Sequence, residues 1–283
     1  MEERPVNWDL SLGLVRYLNA KPLYYGLDQL LPGASFITDL PSRLATRLES
    51  GELDLAMIPS VEFLRSAQTH NYQAMPGVAI GAAGPVRSVK LLSHVDFKNI
   101  RRLAMDEGSR TSQALCRVWL KGVHGVEPQL IEELPIGVPP EESTADAVLV
   151  IGDRAMQLPE DHFRHVVDMG QAWNQCTGLP FVFAVWAVRP RAGLDLELLG
   201  EKLRQSRDLG LQNTPLIAAE ASPRYNLSVD EILFYLNHQI SYDFGEAELV
   251  GLRLFAEKAG QMGLVPEGCH YVLASSRDTA KSR

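Results

Sequence analysis

Leu12-Gly13-Leu14-Val15-Arg16-Tyr17-Leu18-Asn19-Ala20-Lys21-Pro22 runs from an apolar, β-compatible stretch into a polar turn that ends on a proline. Proline has no N–H to lose at the first turn of a helix, so Pro22 predicts a helix opening there and reaching about Leu31, before Pro32-Gly33 breaks the chain. Residues 35–38 follow as a second predicted strand. Residues 41–50 form a predicted helix that places Leu44, Ala45 and Leu48 on one face. Residues 53–58 are a third apolar strand, closed by Pro59-Ser60 and a short helix. Strand, helix, strand, helix, strand in that order implies a parallel sheet covered by helices, because parallel strands need crossover connections. Ligands of such sheets sit at the carboxyl ends of the strands.

The pattern then repeats with new material. Residues 72–75, 78–80 and 88–92 are extended, Gly81-Ala82-Ala83-Gly84-Pro85 is a loop, and residues 103–105 lead through a polar loop into a helix over 113–121. Pro139-Pro140-Glu141-Glu142-Ser143 reads as a polar linker, residues 147–151 as a fully apolar strand, and residues 166–169 as a short one. The most apolar stretch is 179–188, and helices are predicted over 196–209 and 245–262. Ser228-Val229-Asp230-Glu231 has the spacing of a capping box, opening a further helix. These segments predict two α/β lobes: residues 1–90 form the first part of lobe one, 91–180 lobe two, 181–265 the return to lobe one, and 266–283 a polar tail. The chain would cross between lobes near 88–92 and 180–186. A cleft between lobes is a natural small-molecule site.

Bulk properties exclude several classes of partner. The 283 residues are 46% hydrophobic and carry a formal net charge of −8 with no Lys/Arg block. Nucleic acid and membrane surfaces are therefore not expected partners, since both are bound through clustered positive charge. No apolar run reaches membrane-spanning length. Met1-Glu2-Glu3-Arg4-Pro5 lacks the apolar stretch of a secretory signal, so a cytoplasmic protein is expected. The three cysteines, Cys116, Cys176 and Cys269, lack CxxC spacing, and the seven histidines show no HExxH pattern. No metal site and no cofactor are expected. The oligomeric state, monomer or homodimer, is left open.

Four segments carry polar groups where chemistry is expected. Asn19 follows a strand end; its amide both donates and accepts, and the competing reading is a helix cap. Gly108-Ser109-Arg110-Thr111-Ser112 combines three hydroxyls and a guanidinium at a helix start, a fitting cradle for a carboxylate, against an ordinary cap with an exposed arginine. Asp153-Arg154 follows the strand 147–151, and Ser60 follows the strand 53–58; both positions are equally those of local ion pairs and caps. Trp173-Asn174-Gln175-Cys176-Thr177-Gly178-Leu179-Pro180-Phe181 sets polar groups and an aromatic beside a lobe crossing. The alternative there is a helix ending at Gly178 with Phe181 buried.

Several strings resemble one family throughout the chain up to about residue 265. They are 13–23 (Gly-Leu-Val-Arg-Tyr-Leu-Asn-Ala-Lys-Pro-Leu), 54–62 (Asp-Leu-Ala-Met-Ile-Pro-Ser-Val-Glu), Gly84-Pro85-Val86-Arg87-Ser88-Val89, Ser109-Arg110-Thr111-Ser112, 145–155 and 177–184. Together they resemble the chorismate dehydratase of the futalosine, or alternative menaquinone, pathway. Arg87 stands where a small or apolar residue is common in that family. The resemblance implies a two-lobed fold like the type II periplasmic solute-binding proteins, and conversion of chorismate to 3-[(1-carboxyvinyl)oxy]benzoate without metal or redox cofactor. It carries the catalytic asparagine onto Asn19. On this reading Ser109, Arg110, Thr111 and Ser112 bind a carboxylate, Ser60 and Ser88 bind from the first lobe, and Gly178, Leu179 and Phe181 border the ring. Either the substrate's own carboxylate or Asp153 accepts the proton. The sister dihydroxynaphthoate synthase and a non-enzymatic carboxylate binder or sensor are the alternatives.

Overall fold

The computed structural model describes residues 7–108, 110–135, 137–191 and 193–274. The first lobe begins with β1 (Ser11–Val15), a 3-10 turn (Leu18–Tyr24), α1 (Leu27–Leu30), β2 (Ser35–Asp39), α2 (Pro41–Glu49), β3 (Leu55–Pro59), α3 (Ser60–His70) and β4 (Gln73–Ala82). The chain then crosses into β5 (Val89–Ser93), β6 (Arg102–Asp106), α4 (Arg110–His124), β7 (Leu130–Leu134), β8 (Ala147–Ile151), α5 (Asp153–Gln157), β9 (His165–Asp168) and α6 (Met169–Thr177). It returns through β10 (Phe181–Val188) to α7 (Leu196–Gln212), α8 (Thr214–Tyr225), α9 (Val229–Phe234), a π turn (Tyr235–Gln239), α10 (Glu246–Gln261) and β11 (Val272–Leu273).

The two sheets share one plan. The first runs β11-β4-β10-β3-β1-β2 and the second β7-β6-β8-β5-β9. In each, three strands joined by helices lie parallel, in the order second, first, third. The next strand runs against them and is the one that arrives from the other lobe, β10 in the first sheet and β5 in the second. Both lobe crossings therefore become sheet strands, and the carboxyl ends of β1, β3, β6 and β8 open onto the same gap. The central strands β3, β8 and β5 are buried throughout, as expected of strands covered on both faces. The fold is two-lobed α/β.

Local structure departs from the sequence reading in instructive places. The helix predicted from Pro22 is a 3-10 turn that already starts at Leu18; Gly26, at φ +67°, then separates it from α1. Asn19 consequently sits inside the turn, two residues past the half-buried Tyr17 that occupies the cap position. The extended stretches 72–75 and 78–80 are one strand, β4, bent at Pro76-Gly77, where Gly77 has φ +86°. The helix predicted from Gln113 begins at Arg110, which places Thr111 and Ser112 in its first turn. The Ser228 capping box is present with both reciprocal bonds. Gly210 on α7 lies against the backbone of Pro22, where a side chain would collide with the carbonyl. That close approach seats a long helix directly behind the Asn19 turn.

Candidate active site

A cavity lies between the sheets, lined by Tyr17, Asn19, Ser88, Thr111, Ser112 and Phe183, together with glycines, prolines and aliphatic residues. Among the described residues that line it there is no Asp, Glu, His, Lys or Arg. Its polar groups are an amide, hydroxyls and backbone N–H groups.

Each group is delivered by a strand end or helix start. Asn19 comes from the turn after β1. Its Oδ1 is buried and has no hydrogen-bond partner, which is a costly state unless a ligand supplies a donor. Ser88 is the last residue of the first crossing; its backbone accepts from Gly152 N at 2.8 Å, and its hydroxyl accepts from Tyr235 at 2.8 Å. Thr111, in the first turn of α4, accepts from Val61 N of α3 at 3.2 Å and lies 3.5 Å from Ser60 Oγ. The N-termini of α3 and α4, one from each lobe, thus converge on one hydroxyl. Helix N-termini favour an anion, and here Val61 N of α3 is already taken by the Thr111 hydroxyl.

Tyr17 reaches across from the first lobe into the second. Gly152 holds φ +67°, and a Cβ on it would lie 2.9 Å from the Tyr17 ring. A Cβ on Gly108 would lie 2.6 Å from the Tyr17 hydroxyl. Two glycines of the second lobe therefore form the slot that receives Tyr17. Burial, reinforced by Asp106, pushes the Tyr17 hydroxyl well above the ordinary phenol range, so it remains a donor.

Other residues singled out from sequence lie outside this lining. Ser60 is fully buried, and its hydroxyl donates to Val182 O at 2.7 Å. Arg110 is paired at 3.1 Å with Glu62 of α3, so the guanidinium expected to grip a carboxylate ties the lobes together instead. Gly178 closes α6 in the left-handed conformation at φ +70°, and Leu179 is engaged with Thr177 and Asn174 in that same cap. Phe181 packs edge-on against Trp173 and Phe255. The aromatic that faces the cavity is Phe183, two residues on and on the same side of the strand, with ring centroids 4.7 Å apart. Ser109 lies outside the described residues. Arg87, unusual at its place, has φ +62° and pairs with Glu231 at 2.9 Å.

A family model described as menaquinone biosynthesis matches residues 10–261. The chain belongs to the menaquinone biosynthesis family. The chorismate dehydratase of Thermus thermophilus is 33% identical over 268 residues, covering 88% of this chain and 94% of that protein. The chorismate dehydratase of Campylobacter jejuni is 22% identical over 261 residues, covering 90% of this chain and all of that protein. Among solved structures, protein AF1704 of Archaeoglobus fulgidus superposes with a TM-score of 0.72 at 15% identity, over 90% of this chain and 98% of that one. The periplasmic aliphatic sulphonate binding protein SsuA of Escherichia coli gives 0.63 at 15% identity, over 95% and 94%. At such identities these likenesses show the fold, which is that of periplasmic binding proteins. Among the described residues no helix is long and apolar enough to cross a membrane, and no three His, Cys, Asp or Glu side chains cluster to hold a metal.

In this member of the menaquinone biosynthesis family, Asp153 works beside the cavity rather than in it. Its Oδ1 accepts from Leu18 N at 3.2 Å. Burial pushes its carboxyl up to about 6 against that donor. The sign follows from this. The folded state disfavours the ionised form, so a penalty is fully present above pH 6 and fades as pH falls from 6 towards the ordinary value near 3.8. Asp153→Asn keeps an acceptor for Leu18 N and removes the penalty. At pH 7.5 the variant is expected to be more stable than the parent by about 1–3 kcal/mol. At pH 4 the gap closes, as read from denaturant midpoints. Equal gaps at both pH values would contradict the assignment.

Proposed function

We propose that the chain dehydrates chorismate to 3-[(1-carboxyvinyl)oxy]benzoate in the cavity between its lobes. Family membership and a relative at 33% identity that bears this activity's name support the reaction. The observation that fits it to this site is a lining of neutral donors and acceptors with no carboxylate or imidazole among the described residues. Chorismate carries two carboxylates, one on the ring and one on the enolpyruvyl arm. The C–H bond beside the ether oxygen breaks, its electron pair becomes the last double bond of the benzene ring, and the neighbouring hydroxyl leaves with a proton as water. Aromaticity drives the step.

The residues have distinct parts in this reading. Thr111, Ser112 and the paired N-termini of α3 and α4 hold a carboxylate, and donors fixed there stabilise the charge that spreads onto it as the proton leaves. Asn19 Oδ1 accepts from the departing hydroxyl and fixes its direction. Ser88 binds from the first crossing, and Phe183 and Tyr17 flank the ring. Neutral amides and hydroxyls are poor bases, and Asp153, whose Oδ1 accepts from Leu18 N, does not line the cavity. The enolpyruvyl carboxylate of the substrate is the remaining group able to take the proton.

Incubating the purified chain with chorismate and no added cofactor tests the proposal. Loss of one water and appearance of the enolpyruvyl benzoate is the expected result. Binding of chorismate without conversion would replace the proposal with a sensor or carrier. Indifference to chorismate would point to the sister synthase, assayed on its own substrate.

A further inference from the structure

We propose that Asp168 is a positioning residue for the reaction, holding the first lobe crossing in the shape that walls the cavity. The proposal rests on that cavity being where the reaction takes place. Val86, Ser88 and Val89 of the crossing line it, and Asp168 stands outside the lining. Asp168 ends β9 and caps α6, its Oδ1 accepting from Gln171 N at 3.0 Å. The same carboxylate reaches the crossing. Both oxygens accept from Val86 N at 3.0 Å, and Oδ2 accepts from Arg87 N at 2.6 Å. A helix cap needs one oxygen. Here the second is committed to the crossing, and bonds from N–H to a carboxylate are stronger than those between neutral groups.

Those bonds hold an unfavourable backbone. Arg87 has φ +62°, a left-handed conformation that a residue with a Cβ adopts at a cost and only where its surroundings impose it. The constraint comes from two sides. Asp168 of lobe two takes the Arg87 N–H, and Glu231 of α9 takes its guanidinium at 2.9 Å. Beside them, Gly170 of α6 lies so close to the crossing that a Cβ would meet Gly84 O at 2.7 Å. Ser88 follows the bend at once; its N–H closes on Val86 O at 2.7 Å and its carbonyl takes Gly152 N at 2.8 Å. Relaxation of Arg87 to an ordinary conformation would re-aim residue 88 and with it the cavity wall. The other end of α6 grips the second crossing, Trp173 Nε1 donating to Pro180 O at 3.2 Å and Asn174 Nδ2 to Leu179 O at 3.3 Å. One nine-residue helix thus braces both crossings, and Asp168 is its hold on the one that walls the cavity.

Asp168→Asn is nearly isosteric and keeps one oxygen, enough to cap α6, which asparagine does as well as aspartate. A role confined to capping therefore predicts no loss of activity. A loss of about 10–100-fold in kcat/KM for chorismate is expected instead, since small displacements of a site's wall are costly to turnover. Glycine holds a positive φ without steric penalty. In the Arg87→Gly background the Asp168→Asn loss is expected to shrink by at least about threefold, with Arg87→Gly alone as the reference for the lost Glu231 pair. Parent-like kcat/KM in Asp168→Asn, or a loss of the same size in both backgrounds, would overturn the proposal. Amide exchange in the unaltered chain covers the case of a variant that does not fold. Val86 and Arg87 lie in a loop between β4 and β5, and protection of both N–H groups by about 100-fold or more is expected by NMR. Rapid exchange of either would also overturn the proposal. Failure of the parent chain to convert chorismate would count against the reaction, and the exchange measurement would then decide whether Asp168 holds the crossing.

Discussion

Asn19→Ala lowers kcat for chorismate by about 100-fold or more while KM moves only a few-fold, because an error of an ångström in placing reacting groups is enough for such a loss. The expectation follows from the division of labour in the cavity. On the proposed reading, carboxylate binding falls to Thr111, Ser112 and the N-termini of α3 and α4, all of which the substitution leaves in place. What it removes is Oδ1, the buried acceptor without a protein partner. The fold tolerates the loss, because Asn19 lies inside the 3-10 turn and does not cap it. Steady-state kinetics with a thermal melt of each protein separate the effect from unfolding. A variant that turns over like the parent would reduce Asn19 to a structural part of the turn.

Arg154→Ala destabilises the protein by about 3–5 kcal/mol, the usual result of stripping the partner from a buried charge. Asp106 ends β6 at 1% exposure. Its Oδ2 receives Arg154 Nε at 3.0 Å and is ion-paired with Nη2 at 2.7 Å, and its Oδ1 receives Gly108 N at 3.0 Å. Burial already holds the Asp106 carboxyl above the usual carboxylate range despite the arginine. Removing the arginine raises it further, so the loss is greatest at pH 8 and shrinks as the pH falls and Asp106 takes up a proton. Urea midpoints at pH 8 and pH 5 read this directly, and an equal loss at both would contradict it. The same pair shapes the site, because Asp106 fixes the turn that carries Gly108, and Gly108 forms part of the slot for Tyr17.

Much of the fold is legible in the chain because buried parallel strands advertise themselves as continuous apolar runs. Residues 55–58 and 147–151 are of that kind. β7 is not: Leu130–Leu134 reads Leu-Ile-Glu-Glu-Leu and is mostly exposed at the edge of its sheet, so it lacks both an apolar run and a clean alternation. α8 is hidden by Pro215 and Pro223, which read as breakers although one stands in the first turn and the other near the end. In the candidate site, the hydroxyls after β6 stand out in sequence because a helix start needs polar residues, and Thr111 and Ser112 line the cavity. Arg110 misleads for a physical reason. Its charge is satisfied by Glu62, 48 positions away in sequence, and no local pattern announces that partner. Phe181 and Phe183 are equivalent to any alternation rule, and only the aromatic packing of Trp173 and Phe255 around the first decides between them. Tyr235 has no signal at all, since its contact with Ser88 spans 147 positions.

The central claim is that one cavity, formed where the lobes meet, holds chorismate against Asn19, Ser88, Thr111 and Ser112. A crystal structure of the slow Asn19→Ala protein soaked with chorismate tests it most directly. The account predicts the ring between the sheets, one carboxylate at the shared N-termini of α3 and α4, and the hydroxyl facing the emptied position 19. Chorismate seated elsewhere on the protein, or in the cavity with its hydroxyl turned away from residue 19, would contradict it.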